Sequence, residues 1–233
     1  VSTAKLVPVK KPSKQPVNPD GIVIVVHGGA SRRGQMMVSP TQLSVLRMIP
    51  LARRLARAGK GRLAVYRLLN SYRGWDTHHT PVHDIEWAIS RVAELHGVDV
   101  PVALVGHSLG GRAAILAARL PAVRSVVALA AFVYPADADG LGLRDRWILF
   151  VHGVRDRIAP VQRAEALAQR LARTNEVGFL AIRRGKHAML AEHGTFERAA
   201  SDFVTSTLLG TSPGTRSGSL VARILGGESY VRT

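Results

Sequence analysis

The chain contains no cysteine, which excludes disulfides and thiolate metal sites. Aromatic residues make up only 5% of its 233 positions, and they do not alternate with the basic residues. No apolar run is long enough to span a membrane. Acidic residues are scarce: 16 Asp and Glu stand against 32 Lys and Arg, a formal charge of +16. Lysine is scarce as well, supplying 6 of those 32 against 26 arginines. The arginines form no tract; they are spread over every expected helix, as in Arg53-Arg54-Arg57 and Arg163-Arg170-Arg173. A dispersed basic surface attracts anions in general, so no specific nucleic-acid binding is expected of it. The N-terminus lacks the charged-then-apolar order of a signal peptide, and a cytoplasmic location is expected.

The hydrophobic content of 46% suffices for the core of one domain. Residues 1–20, basic and rich in proline, read as an extended lead-in. Gly21 to Val26 is a continuous apolar run of the kind found in strands buried on both faces. Further strands are expected at Leu63–Leu69, at Val102–Val105, at Ser125–Ala130, at Trp147–His152 and at Val177–Ile182. Helical patterns fall between them. Pro50 marks a first helical turn and Gly59 its stop. Val82, Ile85, Ile89 and Val92 recur at helical spacing, with Asp84 and Glu86 expected in the first turn. Phe196, Ala199, Ala200, Phe203 and Val204 share one face of a last helix. Strand–helix alternation implies an α/β fold: a doubly wound, mostly parallel sheet of about six to seven strands with helices on both faces. The catalytic domain is expected over 21–209. Residues 210–233 read as a flexible tail, in which Leu220, Val221, Ile224 and Leu225 can form a short amphipathic turn.

Chemistry concentrates in Gly106-His107-Ser108-Leu109-Gly110. This pentapeptide lies between a strand and a helix, the arrangement that lifts a serine out of a sheet edge at a strained turn. A serine hydroxyl needs a base to take its proton and a group to orient that base. His187 follows the last expected strand and Asp156 the one before it. Both fall at the C-terminal sheet edge, where open parallel sheets place ligands. Oxyanion donors are expected from the N–H of Leu109 and from Gly29 or Ala30 in the turn Val26-His27-Gly28-Gly29-Ala30.

The four segments HGG, GHSLGG, HGVRDRIAP and GKHAM together resemble the α/β-hydrolase superfamily, in its compact esterase-like and dienelactone-hydrolase-like branch, over residues 20 to 209. Tyr72-Arg73-Gly74-Trp75 is similar to the arginine–glycine turn many members carry. The resemblance implies the α/β-hydrolase fold and a Ser108–His187–Asp156 triad. Two features depart from it. Dienelactone hydrolases use a cysteine nucleophile, which is missing here, and the stretch from Ala130 to Trp147 is too short for a helical cap domain. The implied activity is a serine hydrolase cleaving a carboxylic ester, without cofactor or metal. Thioesters, amides and acyl transfer are open to the same machinery, and a catalytically idle binding protein is the alternative from another class. The expected partner is a small-molecule ester or related acyl substrate, and the chain is expected to be a monomer or homodimer.

Competing readings exist for most of these residues. Asp137 and Asp139, after the fourth expected strand, compete with Asp156 for the acid. Asp145 and Asp202 read as solvated charges. His27, His107 and His152 read as packing and hydrogen-bonding groups rather than bases. His78, His79 and His83 lack the clustered carboxylates or cysteines of a metal site. For the substrate pocket the candidates are Met36, Phe132, Tyr134 and Trp75, with Arg32 and Arg33 placed to hold an anionic group.

Overall fold

The computed structural model describes residues 3–9, 15–29, 36–213 and 219–233. All six expected strands form. They are β2 (Gly21–Val26), β3 (Leu63–Leu69), β4 (Val102–His107), β5 (Val123–Leu129), β6 (Trp147–Gly153) and β7 (Glu176–Ile182). β2 and β4 are buried at every position, the reason their sequences show no alternation. Two further strands, β1 (Lys5–Pro8) and β8 (Tyr230–Arg232), extend the sheet to eight in the order β1-β3-β2-β4-β5-β6-β7-β8. β1 runs antiparallel to β3 and the remaining pairings are parallel.

These edge strands correct the expected termini. Part of the lead-in is strand, and Gln15 continues its cover of β3 by accepting from the Val65 N–H (2.9 Å) and donating to the Val65 carbonyl. At the other end, α7 (Leu220–Leu225) buries Val221 and Ile224, and β8 pairs with β7. The Tyr230 ring stacks on Phe179 at 5.4 Å. Residues 219–233 are therefore docked on the domain.

Helices α3 (Thr80–His96), α4 (Leu109–Ala117) and α5 (Val161–Leu171) supply one apolar layer. α2 (Met48–Ala58), α6 (His193–Leu209) and α7 supply the other. A short helix, α1 (Leu43–Leu46), precedes α2 and is separated from it at Arg47. Pro50 explains the break. It has no N–H to give the Leu46 carbonyl, and its ring crowds that carbonyl. α3 begins earlier than the acidic pattern suggested, so Asp84 lies beyond the first turn. It is buried and accepts both the N–H and the hydroxyl of Ser71 at 2.7 Å, fixing the chain after β3. Between β5 and β6 the only helical feature is a 3-10 turn, Pro135–Ala138, and among the described residues no cap covers the sheet edge.

Candidate active site

Ser108 sits between the end of β4 and the start of α4 with φ 54° and ψ −118°. A left-handed φ at a non-glycine residue costs energy and persists only when its surroundings enforce it. Here they do. The Ser108 N–H donates to the Leu129 carbonyl (3.0 Å), and the Ser108 carbonyl accepts from Gly111, Arg112 and Phe132. The flanking glycines are steric necessities. A Cβ on Gly106 would collide with the Gly110 carbonyl, and one on Gly110 would come within 2.6 Å of the Val26 carbonyl oxygen.

The HGG turn packs on this elbow. A Cβ on Gly28 would lie 3.1 Å from that of Ser108, and one on Gly29 would lie 3.3 Å from Leu109 Cδ1 and strike the Arg73 carbonyl. Gly29 is thus wedged between the arginine–glycine turn and the first residue of α4. The N–H of Leu109, at that helix start, has no intrahelical acceptor. Ala30, the other oxyanion candidate in this turn, lies outside the described residues, as do Arg32 and Arg33.

Loops after β6 and β7 are joined by backbone hydrogen bonds, Val154 N–H to Ile182 (2.9 Å) and Arg155 N–H to Gly185 (3.0 Å). This pairing brings Asp156 to His187. His187 Nδ1 donates to Asp156 Oδ2 at 2.9 Å, leaving Nε2 as the basic nitrogen. Asp156 Oδ1 accepts from the N–H groups of Ile158 and Ala159, each at 2.9 Å. Burial opposes the Asp156 charge. Hydrogen bonds from His152, His187 and the Ala159 N–H outweigh it and hold the carboxyl well below the usual carboxylate range.

Three other histidines surround this edge, and each has a distinct task. His27 Nδ1 donates to the Gly28 carbonyl (2.7 Å) while Nε2 accepts from the Asn70 N–H (3.1 Å), locking the neutral ring between β2 and β3. His152 Nε2 donates to the Ala159 carbonyl at 2.9 Å and lies 3.5 Å from Asp156 Oδ2. His107 Nε2 donates to the His187 carbonyl at 2.9 Å, with ring centroids 5.1 Å apart. Burial drives the His107 pKa down to about 3, so it holds the His187 loop as a neutral donor. All three are packing and hydrogen-bonding groups, as expected, and two of them, His152 and His107, bond directly to the loops bearing Asp156 and His187.

Asp137 is engaged elsewhere. Arg112 grips it with two donors (Nε to Oδ2 2.9 Å, Nη2 to Oδ1 2.7 Å), and the Tyr134 N–H donates to it as well. Asp139 pairs with Arg170. Arg112 also lies over the Trp75 ring (4.3 Å) and the Tyr134 ring (5.0 Å), and Arg163 covers Tyr134 at 5.0 Å. Phe132, whose N–H bonds the Ser108 carbonyl, meets Tyr134 edge-on at 5.9 Å. Two of the pocket candidates, Trp75 and Tyr134, are therefore linked through the Arg112 guanidinium, and Phe132 joins them through Tyr134. Met36 is apart from them: its sulfur lies 3.1 Å from Arg73 Nη1 and its carbonyl accepts the Arg73 N–H. His83 pairs with Glu86 and the His79 ring packs on Trp75. Among the described residues no three groups gather to hold a metal ion, and no helix is long and apolar enough to cross a membrane.

An eight-stranded, mostly parallel sheet with a strained serine at its C-terminal edge and a paired acid and histidine on neighbouring loops defines the class. The model of the alpha/beta hydrolase family matches residues 23–226, and the chain belongs to that family. Its fold is similar to that of Est1E from Butyrivibrio proteoclasticus (TM-score 0.62, 16% identity, 89% of this chain and 94% of that one). It is also similar to XC6422 from Xanthomonas campestris, a serine hydrolase without a lid (TM-score 0.58, 16% identity, 83% and 85%). A third similar structure is the esterase domain of a Rhodothermus marinus protein (TM-score 0.53, 17% identity, 89% and 96%). At these identities the likeness is one of fold. No curated protein matches the sequence.

Proposed function

We propose that the protein is a serine hydrolase that cleaves a carboxylic ester through an acyl-enzyme. The observation carrying this reading is the Asp156–His187 hydrogen bond on loops beside a serine held at positive φ. Ser108 Oγ attacks the ester carbon as His187 Nε2 takes its proton. The tetrahedral oxyanion is held by the N–H groups of Leu109 and of Gly29 or Ala30. Collapse expels the alcohol, which leaves with the proton from His187. Water, deprotonated by the same nitrogen, then attacks the acyl group and frees Ser108. Asp156 orients the imidazole and stabilises its charged form without itself taking the proton. An esterase domain and a lidless serine hydrolase among the structures of like fold support ester chemistry.

The test is turnover of p-nitrophenyl butyrate together with fluorophosphonate labelling. Ser108→Ala is expected to lower kcat by about 10⁴-fold or more and to abolish labelling. Unchanged turnover by a clean Ser108→Ala preparation would show that Ser108 is not the nucleophile. Thioester and amide probes in the same panel rank the leaving groups.

A further inference from the structure

Beside the His187 loop, on the α2/α6 face of the sheet, lies a cavity of about 440 Å³. One wall is formed by Leu43 and Leu46 of α1, Arg47 at the junction, and Pro50 and Leu51 of α2, which recur at i, i+3, i+4, i+7 and i+8. Met189, Leu190 and Phe196 form the facing wall, and Leu129 is at the sheet edge. Leu43 and Leu190 are 76% and 67% exposed, an apolar rim that no other part of the described chain covers.

Two observations tie this cavity to the candidate site. Ala188, next to His187, lines both the cavity and the open cleft that holds Asp156 and His187. Leu129 accepts the hydrogen bond from the Ser108 N–H. A third concerns charge. Arg47 Nε is buried without a hydrogen-bond partner, and the side chain makes no ion pair among the described residues. Burial accordingly lowers its pKa. Glu197 also lines the cavity but does not pair with it. An unpartnered buried donor on a guanidinium is costly unless an acceptor arrives from outside.

We propose that this cavity binds the acyl part of the substrate, and that this acyl part is an apolar chain bearing a carboxylate that Arg47 holds. The proposal rests on the reading of Ser108 and His187 given above and names the substrate class for it. Apolar walls remove the chain from water, while the charge-assisted contact to Arg47 selects a carboxylate over a methyl end.

The experiment compares p-nitrophenyl octanoate with the p-nitrophenyl monoester of suberic acid, which replaces the terminal methyl by a carboxylate. Wild-type kcat/KM is expected to favour the suberate ester by roughly tenfold, the scale of one charge-assisted hydrogen bond. Arg47→Gln is expected to abolish that preference and Arg47→Lys to restore part of it. Leu46→Trp, which fills the cavity, is expected to lower kcat/KM for both long esters relative to the acetate ester. Binding is read separately as the rise in Tm with free suberate, expected for wild type and for Ser108→Ala but absent in Arg47→Gln. No ester turnover, with the suberate-dependent rise intact, would sink the hydrolase reading and leave the site standing. Equal turnover of the octanoate and suberate esters, with no Tm rise in wild type, overturns the proposal.

Discussion

Asp137 and Asp156 occupy loops after neighbouring strands, β5 and β6, and each is 9% exposed. Burial by itself therefore does not separate them; their partners do. Asp137 faces a guanidinium that is always charged and anchored between two aromatic rings. Such a pair fixes a loop and moves no proton. Asp156 faces a histidine with a free second nitrogen and takes two backbone N–H donors on its other oxygen. That arrangement can stabilise an imidazolium as it forms. Equal burial, with different partners, makes one carboxylate a structural strut and the other the candidate acid of a triad.

The sharpest way to break this contrast is to neutralise each carboxylate in turn. Asp156→Asn removes the charge opposite His187 and is expected to lower kcat about 10³- to 10⁴-fold, measured with p-nitrophenyl butyrate. Asp137→Asn leaves Arg112, whose side chain is only 16% exposed, without its counter-ion. It is expected to cost about 3 kcal/mol, a fall in Tm of roughly 10 °C in calorimetry, with a much smaller effect on kcat. A collapse of kcat in folded Asp137→Asn and little change in Asp156→Asn would reverse the two roles.

Acid sensitivity sharpens the contrast further. The Asp156 carboxyl is depressed in the folded protein, so its stabilisation is present above the ordinary carboxylate range. It is lost as pH falls towards the folded value. His107 acts in the same direction at higher pH, since it titrates near 6.5 when unfolded and about 3 when folded. Below 6.5 the unfolded chain takes up a proton that the native one refuses, and stability falls. His187, Arg47 and Asp156 are the charged or titratable groups acting on it. His107→Gln, which keeps a side-chain donor, is expected to flatten the fall in Tm between pH 6.5 and 4 by the equivalent of about 3 kcal/mol. The smallest expected effect belongs to the strut's aromatic cover. Tyr134→Leu removes two cation–π contacts and is expected to cost about 1 kcal/mol in denaturant unfolding.

Most of the sheet was legible because its strands are buried on both faces and read as uninterrupted apolar runs. β1 and β8 were not, since an edge strand four or three residues long with exposed ends carries no such run. The tail helix α7 looked like any amphipathic turn; its place against α6 and β7 depends on contacts made far along the chain. Among the candidate-site residues, those set by local geometry were readable. Ser108 is announced by glycines whose absence of a Cβ the elbow requires, and Asp156 and His187 by their position after consecutive strands. Arg112 and Arg47 were not, because nothing local distinguishes them from the other arginines of this basic chain.

The sequence by itself determined the alternation of strands and helices, the strained serine turn and the order in which serine, acid and histidine follow one another. Each of these is written in residues adjacent along the chain. Only the tertiary structure decided which carboxylate meets a histidine and which meets an arginine, which histidine holds the His187 loop, and that Arg47 Nε is left without a partner among the described residues. Those outcomes depend on loops from different strands converging at one sheet edge, where a few ångströms in the path of the backbone choose the partner.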